Sequence, residues 1–349
     1  MRRIFLLQIF FVATLLLIPS ARARNRAPRG QAFVRAVERR TQSLIPKGTL
    51  AVAIHTIDLY VQPSASSTRL TQVLPGREMV ITEKNGKWIR VFANVDEGQS
   101  HEDQTTLLGP ANPPQPVSGW MINQGLVTAD TPHGDQILFG AAQAQEDAAT
   151  QPDPPPGTAQ AARRLYLRVI QIFPRSKLVP NAMWHAADIR WQLQKADADT
   201  LPSAHTKQPY MRELPDENEM HAVMHYFPQT KWADFAAFTL IQNQLCGDWQ
   251  GDEKCPEKEA HYYLDYARKY PNSPDAPEAL YKAAWREAAA GDMWQADGNK
   301  KFADRDRGYV AGIVNRLEQK YPDSEYATRA ATLLFQVDQG IQVYGTGSQ

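Results

Sequence analysis

Four times in the second half of the chain an aromatic residue, a proline, a variable residue and a hydroxyl residue follow one another. These marks are Phe173-Pro174-Arg175-Ser176, Phe227-Pro228-Gln229-Thr230, Tyr270-Pro271-Asn272-Ser273 and Tyr321-Pro322-Asp323-Ser324. Their prolines stand 54, 43 and 51 residues apart. Such a recurrence constrains the fold strongly, because each unit has to repeat one local structure. Proline lacks an N–H and restricts its predecessor, so it ends one helix. The hydroxyl then caps the next. Ser273-Pro274 adds a proline at the first helical position. Asp216 with Glu219 reads as a capping box at another helix start.

The flanks of the marks share a packing pattern. Eight residues after each proline stand Ala182, Ala236, Ala279 and Ala330, and twelve after stand Ala186, Leu240, Ala283 and Leu334. Five before stand Val169, Val223, Tyr266 and Leu317, and eight before stand Tyr166, Met220, Tyr263 and Val314. Offsets of three and four place these on one helix face. The pattern predicts four antiparallel helix pairs: 159–173 with 177–195, 216–227 with 231–245, 256–270 with 274–290, and 303–321 with 325–340. Ala279 is expected in the seam and Lys282 on the solvent side. Irregular loops are expected between pairs, the longest at about 196–215 and another opening at Gly291-Asp292. Stacked pairs would form a curved solenoid.

Residues 48–128 have a different character. Short β-rich runs lie at 49–61 and 70–82, the second broken by Pro75-Gly76. Asn85-Gly86 is a strong hairpin signal before Trp88-Ile89-Arg90-Val91-Phe92. Gly119-Trp120-Met121-Ile122 and Leu126-Val127 complete the unit. Five short strands around Leu59, Val73, Val80, Trp88, Val91 and Trp120 predict a small all-β barrel. A polar insertion of about 94–117 interrupts it. Tyr60 and Trp120 are candidates for lining a groove, although a tryptophan in so small a unit is otherwise a core residue.

The N-terminus reads as an export signal. Arg2 and Arg3 precede a largely apolar run, Ile4 to Ile18, and Ala21-Arg22-Ala23 fits a cleavage site. Export to the periplasm or envelope is expected, with cleavage after Ala23. The alternative is an uncleaved membrane anchor, for which the run is short against the ~20 residues of a spanning helix. Residues 24–47 form a basic leader, with an amphipathic helix drawn at Gln31–Ser43 on Phe33, Val34 and Val37. Residues 129–158 read as a linker with a short helix at Gln136–Ala149 and a stiff Pro154-Pro155-Pro156 spacer. Residues 341–349 form a tail.

The chain's 38 basic and 38 acidic side chains balance, so no nucleic-acid partner is expected. Its two cysteines, Cys246 and Cys255, lie at a helix junction, and in an oxidising compartment they are expected to form a loop-locking disulfide. His221 and His225 are four apart near Glu219, but no third ligand and no HExxH pattern accompany them. No phosphate loop or nucleophile elbow occurs. No catalytic residue, metal or cofactor is therefore assigned.

Two resemblances organise these observations. Asp58-Leu59-Tyr60-Val61-Gln62-Pro63-Ser64, Val73-Leu74-Pro75-Gly76, Asn85-Gly86-Lys87-Trp88-Ile89-Arg90-Val91 and Gly119-Trp120-Met121 resemble the bacterial SH3-like domain. Tyr263 to Ser273, with Ala276, Ala279, Leu280, Tyr281 and Ala284, resembles tetratricopeptide-like repeats, particularly those of the outer-membrane assembly lipoprotein family. The unit spacing exceeds that of the usual repeat, and no lipid-anchoring cysteine is present. The resemblances imply an SH3-like barrel joined by a proline-rich linker to an all-α solenoid at 159–340. They imply a non-enzymatic envelope scaffold that binds a protein or peptide segment. A peptidoglycan-binding accessory and an envelope enzyme are the alternatives. Arg164, Arg168, Gln171, Tyr262, Asp265, Arg268 and Arg316, on helix faces turned from the seam, are the candidate partner contacts.

Overall fold

A computed structural model describes residues 29–44, 48–94, 116–201, 207, 211–249 and 251–344. The expected export segment and most of the insertion at 94–117 lie outside the described residues. An antiparallel, open seven-stranded sheet occupies the N-terminal half and a helical region the C-terminal half.

The strands are β1 (Thr49–Ala53), β2 (Ile57–Tyr60), β3 (Arg69–Val73), β4 (Glu78–Asn85), β5 (Trp88–Asn94), β6 (Pro116–Ile122) and β7 (Leu126–Thr128). Their order is β3-β2-β6-β5-β4-β1-β7. The expected five strands become seven because the run at 70–82 splits at Pro75-Gly76 and Leu126–Thr128 pairs with β1 as a strand of its own. Asn85 pairs with Trp88 across a tight turn in which Gly86 has φ 58°. Alternation along β5 sends Ile89, Val91 and Ala93 into a core with Leu59, Val73, Met79 and Met121. Trp88, Arg90 and Phe92 therefore point to the opposite face. Trp88 is buried there, with its ring edge-on to Tyr60, while Trp120 is half-buried and outside the core expected for it.

The helices are α1 (Arg29–Leu44), α2 (Gly134–Ala149), α3 (Thr158–Ile172), α4 (Val179–Thr200), α5 (Asn218–Tyr226), α6 (Lys231–Leu240), α7 (Lys254–Lys269), α8 (Ala276–Ala296), α9 (Lys300–Lys320) and α10 (Glu325–Asp338). A 3-10 turn, Ile241–Gln244, extends α6. Each mark ends one helix and starts the next. Ser176, Thr230, Ser273 and Ser324 accept backbone N–H bonds from Leu178, Ala233, Asp275 and Tyr326. The residues five and eight before each proline, and the alanines eight after, are all buried. Among the residues twelve after, Leu334 alone is only half-buried, and it lies on the C-terminal helix of the array.

One expected break is displaced, from Gly291-Asp292 to residues 297–299, and another does not separate what it divides. Gly291 and Asp292 lie inside α8, where Gly291 faces Ala303 and Asp306 of α9 closely enough that a Cβ would come 3.4 Å from the Ala303 carbonyl. α8 and α9 thus pack closely across the junction of the third and fourth pairs. The segment 129–158 also joins rather than separates. Leu138, Phe139 and Ala142 of α2 are buried in one core with Val52 and Val127 of the sheet and Leu165 and Tyr166 of α3. Residues 129–133 and 150–157, the latter including Pro154–Pro156, stay irregular. The basic leader is likewise docked: Phe33 of α1 enters the same core, and α1 lies across α3 and α5.

A polar seam fixes the sheet on the array. Gly76 has φ 79°, and a Cβ there would lie 2.6 Å from Cβ of Arg164, so only glycine lets the β3–β4 turn sit on α3. Arg164 Nε donates to the Pro75 carbonyl at 3.2 Å, and Arg168 Nε to that of Gly76 at 2.9 Å. Arg168 also pairs with Glu78 at 3.0 Å, and Gln171 donates to the same carboxylate at 3.2 Å. The Arg168→Glu substitution is expected to turn this attraction into repulsion and split a single thermal transition into two. Adding Glu78→Arg should restore one transition. An unchanged melt in the single variant, followed by calorimetry, would count against coupling through this pair.

Candidate functional site

All seven candidate contacts lie on α3, α7 and α9, helices that precede a mark. Arg164, Arg168 and Gln171 form the seam just described, so they face the chain's own sheet and not an open groove. Tyr262 is half-buried under the Lys258 ammonium, 5.9 Å from its ring. Asp265 and Arg268 pair at 2.9 Å on the exposed side of α7. Arg316 is half-buried on α9. These four form no compact constellation with the first three.

The helices that follow the marks carry a richer surface. Trp184 of α4 packs against Trp232 and Phe235 of α6 at centroid distances of 5.6 and 5.2 Å. Lys231 Nζ stands 4.4 Å over the Trp232 ring. Further along α6, Phe238 meets Tyr266 at 5.1 Å and carries Lys282 Nζ of α8 at 5.1 Å. Arg286 lies 4.6 Å over Tyr263 and is held by Glu259 at 2.8 Å. Trp285 continues the row to Trp249 at 5.5 Å, and Trp249 stacks on Tyr344 at 5.5 Å. Trp184, Trp232, Phe235, Phe238 and Trp285 are half-buried, so each buries apolar area and still shows an edge to solvent. Lys282, expected in solvent, instead spans two rings and pairs with Glu278 at 2.7 Å, whereas Ala279 is buried as expected.

Cys246 and Cys255 form a disulfide with Cα atoms 6.1 Å apart. It closes the loop that presents Trp249. Cys246 N–H donates to Glu259 at 2.7 Å, which ties the loop to the carboxylate that also holds Arg286.

At the other end of the row, Glu146 of α2 accepts from Tyr166 at 2.6 Å and meets His185 Nδ1 at 3.0 Å. Burial pushes the Glu146 carboxyl up, but the bonds from His185 and Tyr166 outweigh it and hold the group below its ordinary value. This cluster ties α2, α3 and α4 together. Of the weighed metal pair, His221 meets Glu217 at 3.1 Å and His225 packs edge-on to Tyr226. Among the described residues no three or more His, Cys, Asp or Glu side chains are placed so that they could hold a metal ion.

On the sheet, Tyr60 and Trp120 are register partners on the face turned from the sheet core. Arg90 lies opposite Trp120 and donates to Ser118 at 3.2 Å. Asp58 accepts from Gln72 at 2.9 Å on the neighbouring strand. Phe92 and Ile122 are exposed on this face. The two candidate groove residues are therefore brought together.

Two buried charge clusters escaped sequence reasoning. Glu219, expected to cap α5, instead accepts from Arg163 at 2.8 Å and Arg190 at 3.0 Å, with only 3% of its surface exposed. Asp216 alone does the capping, accepting from Asn218 N–H at 2.7 Å. At the α7–α8–α9 junction, Arg305 bridges Asp306 at 2.6 Å and Glu257 at 2.5 Å, and Trp294 donates to Glu257 at 2.6 Å. Glu287 faces this group with Oε2 buried and without a hydrogen-bond partner. Burial, then the Asp306 and Glu257 charges, push its carboxyl up to about 8 against the pull of Arg305.

The aromatic row had a readable signal. Trp184 and Phe238 each stand ten residues after a mark proline, as does Tyr281, which packs on Tyr326 outside the row. A scan against protein families finds no match, and no curated protein matches the sequence.

Glu287 makes stability depend on pH. The folded chain keeps a proton there that the unfolded chain has lost above its ordinary carboxyl value of ~4.3. Stability from this group therefore falls as pH rises from there to about 8, and levels off beyond. The Glu287→Gln substitution is expected to raise the melting temperature over the unsubstituted chain by a gap that widens from pH 5 to 8 and is constant above. A gap independent of pH would refute the assignment.

Proposed function

We propose that the chain is an exported, non-enzymatic scaffold of the cell envelope that holds a protein partner, or an extended segment of one, on the aromatic face of its helical array. The array is read as tetratricopeptide-like and the sheet as bacterial SH3-like. One observation carries the reading: the row from Trp184 through Trp232, Phe235 and Phe238 to Trp285, with Lys231, Lys282 and Arg286 set over its rings. Rigid rings supply contact area at little entropic cost, and cations beside them pair with carboxylates or stack on partner rings. A disulfide accords with export into an oxidising compartment. Among the described residues no helix is long and apolar enough to cross a membrane. Neither nucleic acid nor a cofactor enters this reading.

A second reading, cell-wall binding, rests on Tyr60 and Trp120. They are adjacent half-buried rings on neighbouring strands, bordered by Arg90, Asp58 and Gln72. Flat aromatic platforms with planar polar neighbours suit a peptidoglycan strand.

Both are tested with the oxidised full-length chain as bait for envelope extracts. Removing Trp232 and reversing Lys282, as Trp232→Ala with Lys282→Glu, is expected to weaken capture of a partner at least about thirtyfold, as for one ring worth about 2 kcal/mol. The melting temperature should change by only a few degrees. Undiminished capture by the folded variant would place the interaction elsewhere. Co-sedimentation with purified peptidoglycan, lost in Tyr60→Ala with Trp120→Ala, would instead support the second reading.

A further inference from the structure

The helix α1 is seated on the array as a ligand would be. Its main contacts are with α3 and α5, far along the chain. Among its described side chains Phe33 alone is fully buried, 2% exposed, and its ring meets Tyr226 at 4.7 Å and Phe227 at 5.6 Å. Gly30, one turn earlier, faces the same residues: a Cβ there would make ordinary contact, 3.7 Å from the Tyr226 carbonyl and 3.8 Å from the Phe227 ring. Val37, one turn later, is half-buried against the same core. Glu38, five residues after Phe33, meets Arg175 of the first mark at 3.0 Å. Phe33 thus meets Tyr226 and Phe227, and Glu38 meets Arg175, so Phe227 and Arg175 of two different marks contact the helix.

This seat is shallow and not filled. Gln31, Ala32 and Arg35 on α1 are exposed. A cleft of about 640 Å³ remains beside the helix, bordered by Glu38, Asp135, Phe173, Arg175 and Ser176. Phe33, Val37 and the surface Glu38–Arg175 pair are among the contacts that hold α1, and a helix docked on the array opens locally at less cost than the array itself.

We propose that the groove between α3 and α5 is a helix-binding site, occupied within the chain by α1, which takes in exchange an amphipathic helix of a partner protein carrying an aromatic anchor and a carboxylate five residues further on. The site lies apart from the aromatic row. It rests on the scaffold reading for the existence of a partner, but not for the groove. While α1 is in place it competes at the millimolar effective concentration typical of a short tether, so an incoming helix binds only weakly until α1 is released.

The probe is a fluorescent peptide of residues Arg29–Leu44, titrated into the unsubstituted chain and into the Phe33→Ala chain. Hydrogen exchange of α1 is followed in both. Release of α1 is expected in Phe33→Ala, together with peptide binding at least tenfold tighter than to the unsubstituted chain. A peptide carrying Phe33→Ala should bind neither. Val37→Asp, on the same face, gives a second release variant should the first not fold. Exposed α1 without peptide binding would overturn the proposal, as would equal binding to both chains or unchanged α1 protection in Phe33→Ala. A concentration-dependent dimer abolished by Phe33→Ala would overturn it in favour of a second copy as the occupant. None of these outcomes bears on capture through Trp232 and Lys282, so the two readings fail separately.

Discussion

The contact of the β3–β4 turn with α3 decides how the rest of the molecule is disposed. At Gly76 the sheet backbone comes so near the Arg164 stem that no side chain fits between them. That approach brings Val52 and Val127 onto α2 and α3 and merges the sheet edge with the helical core. It also occupies the polar side of α3, since Arg164, Arg168 and Gln171 find their partners on the turn. With that side covered, the half-exposed rings that remain in a row are those on α4, α6 and α8. The exposed aromatic face is thus defined as much by what the sheet covers as by what the helices display.

Much of the helical half was legible because its determinants are local. A proline that stops a helix and a serine that starts the next act within four residues, and the alanine offsets follow from one helical period. The disulfide was legible for the same reason, as its cysteines are only nine positions apart. Strand alternation was equally readable, and it placed Leu59, Val73 and Val91 in the core. The misreadings share a non-local origin. Basic residues at 24–47 and prolines at 154–156 suggest a tether and a spacer, yet Phe33 and Leu138 are buried by helices far along the chain. Arg164 and Arg168 have the pattern of a solvated face, and nothing near them in sequence reveals the carbonyls of Pro75 and Gly76. Glu219 carries a capping signal that is overridden by Arg163 and Arg190, from two other helices.

The buried charges bear on specificity rather than on gross stability. Glu219 neutralises two arginines inside the α3–α4–α5 junction, and removing such a partner leaves buried cations at a cost of roughly 3–5 kcal/mol. An array of alanine-lined helices has many near-equivalent ways to slide by one turn. A carboxylate that meets both arginines in one register only, and an Arg305 fork between Glu257 and Asp306 in another junction, separate the native stacking from its shifted relatives.

The loop closed by Cys246 and Cys255 places Trp249 between Trp285 of α8 and Tyr344, while Asp292 holds the backbone N–H groups of Val343 and Tyr344. Two indoles and a phenol at such spacing share their electronic transitions. The near-ultraviolet circular dichroism of the protein therefore contains a contribution from this stack alone, set by the covalent loop at one side and by the segment beyond α10 at the other. The oxidation state of a sulfur pair that is itself nearly invisible to light is thereby written into the optical spectrum, without any label.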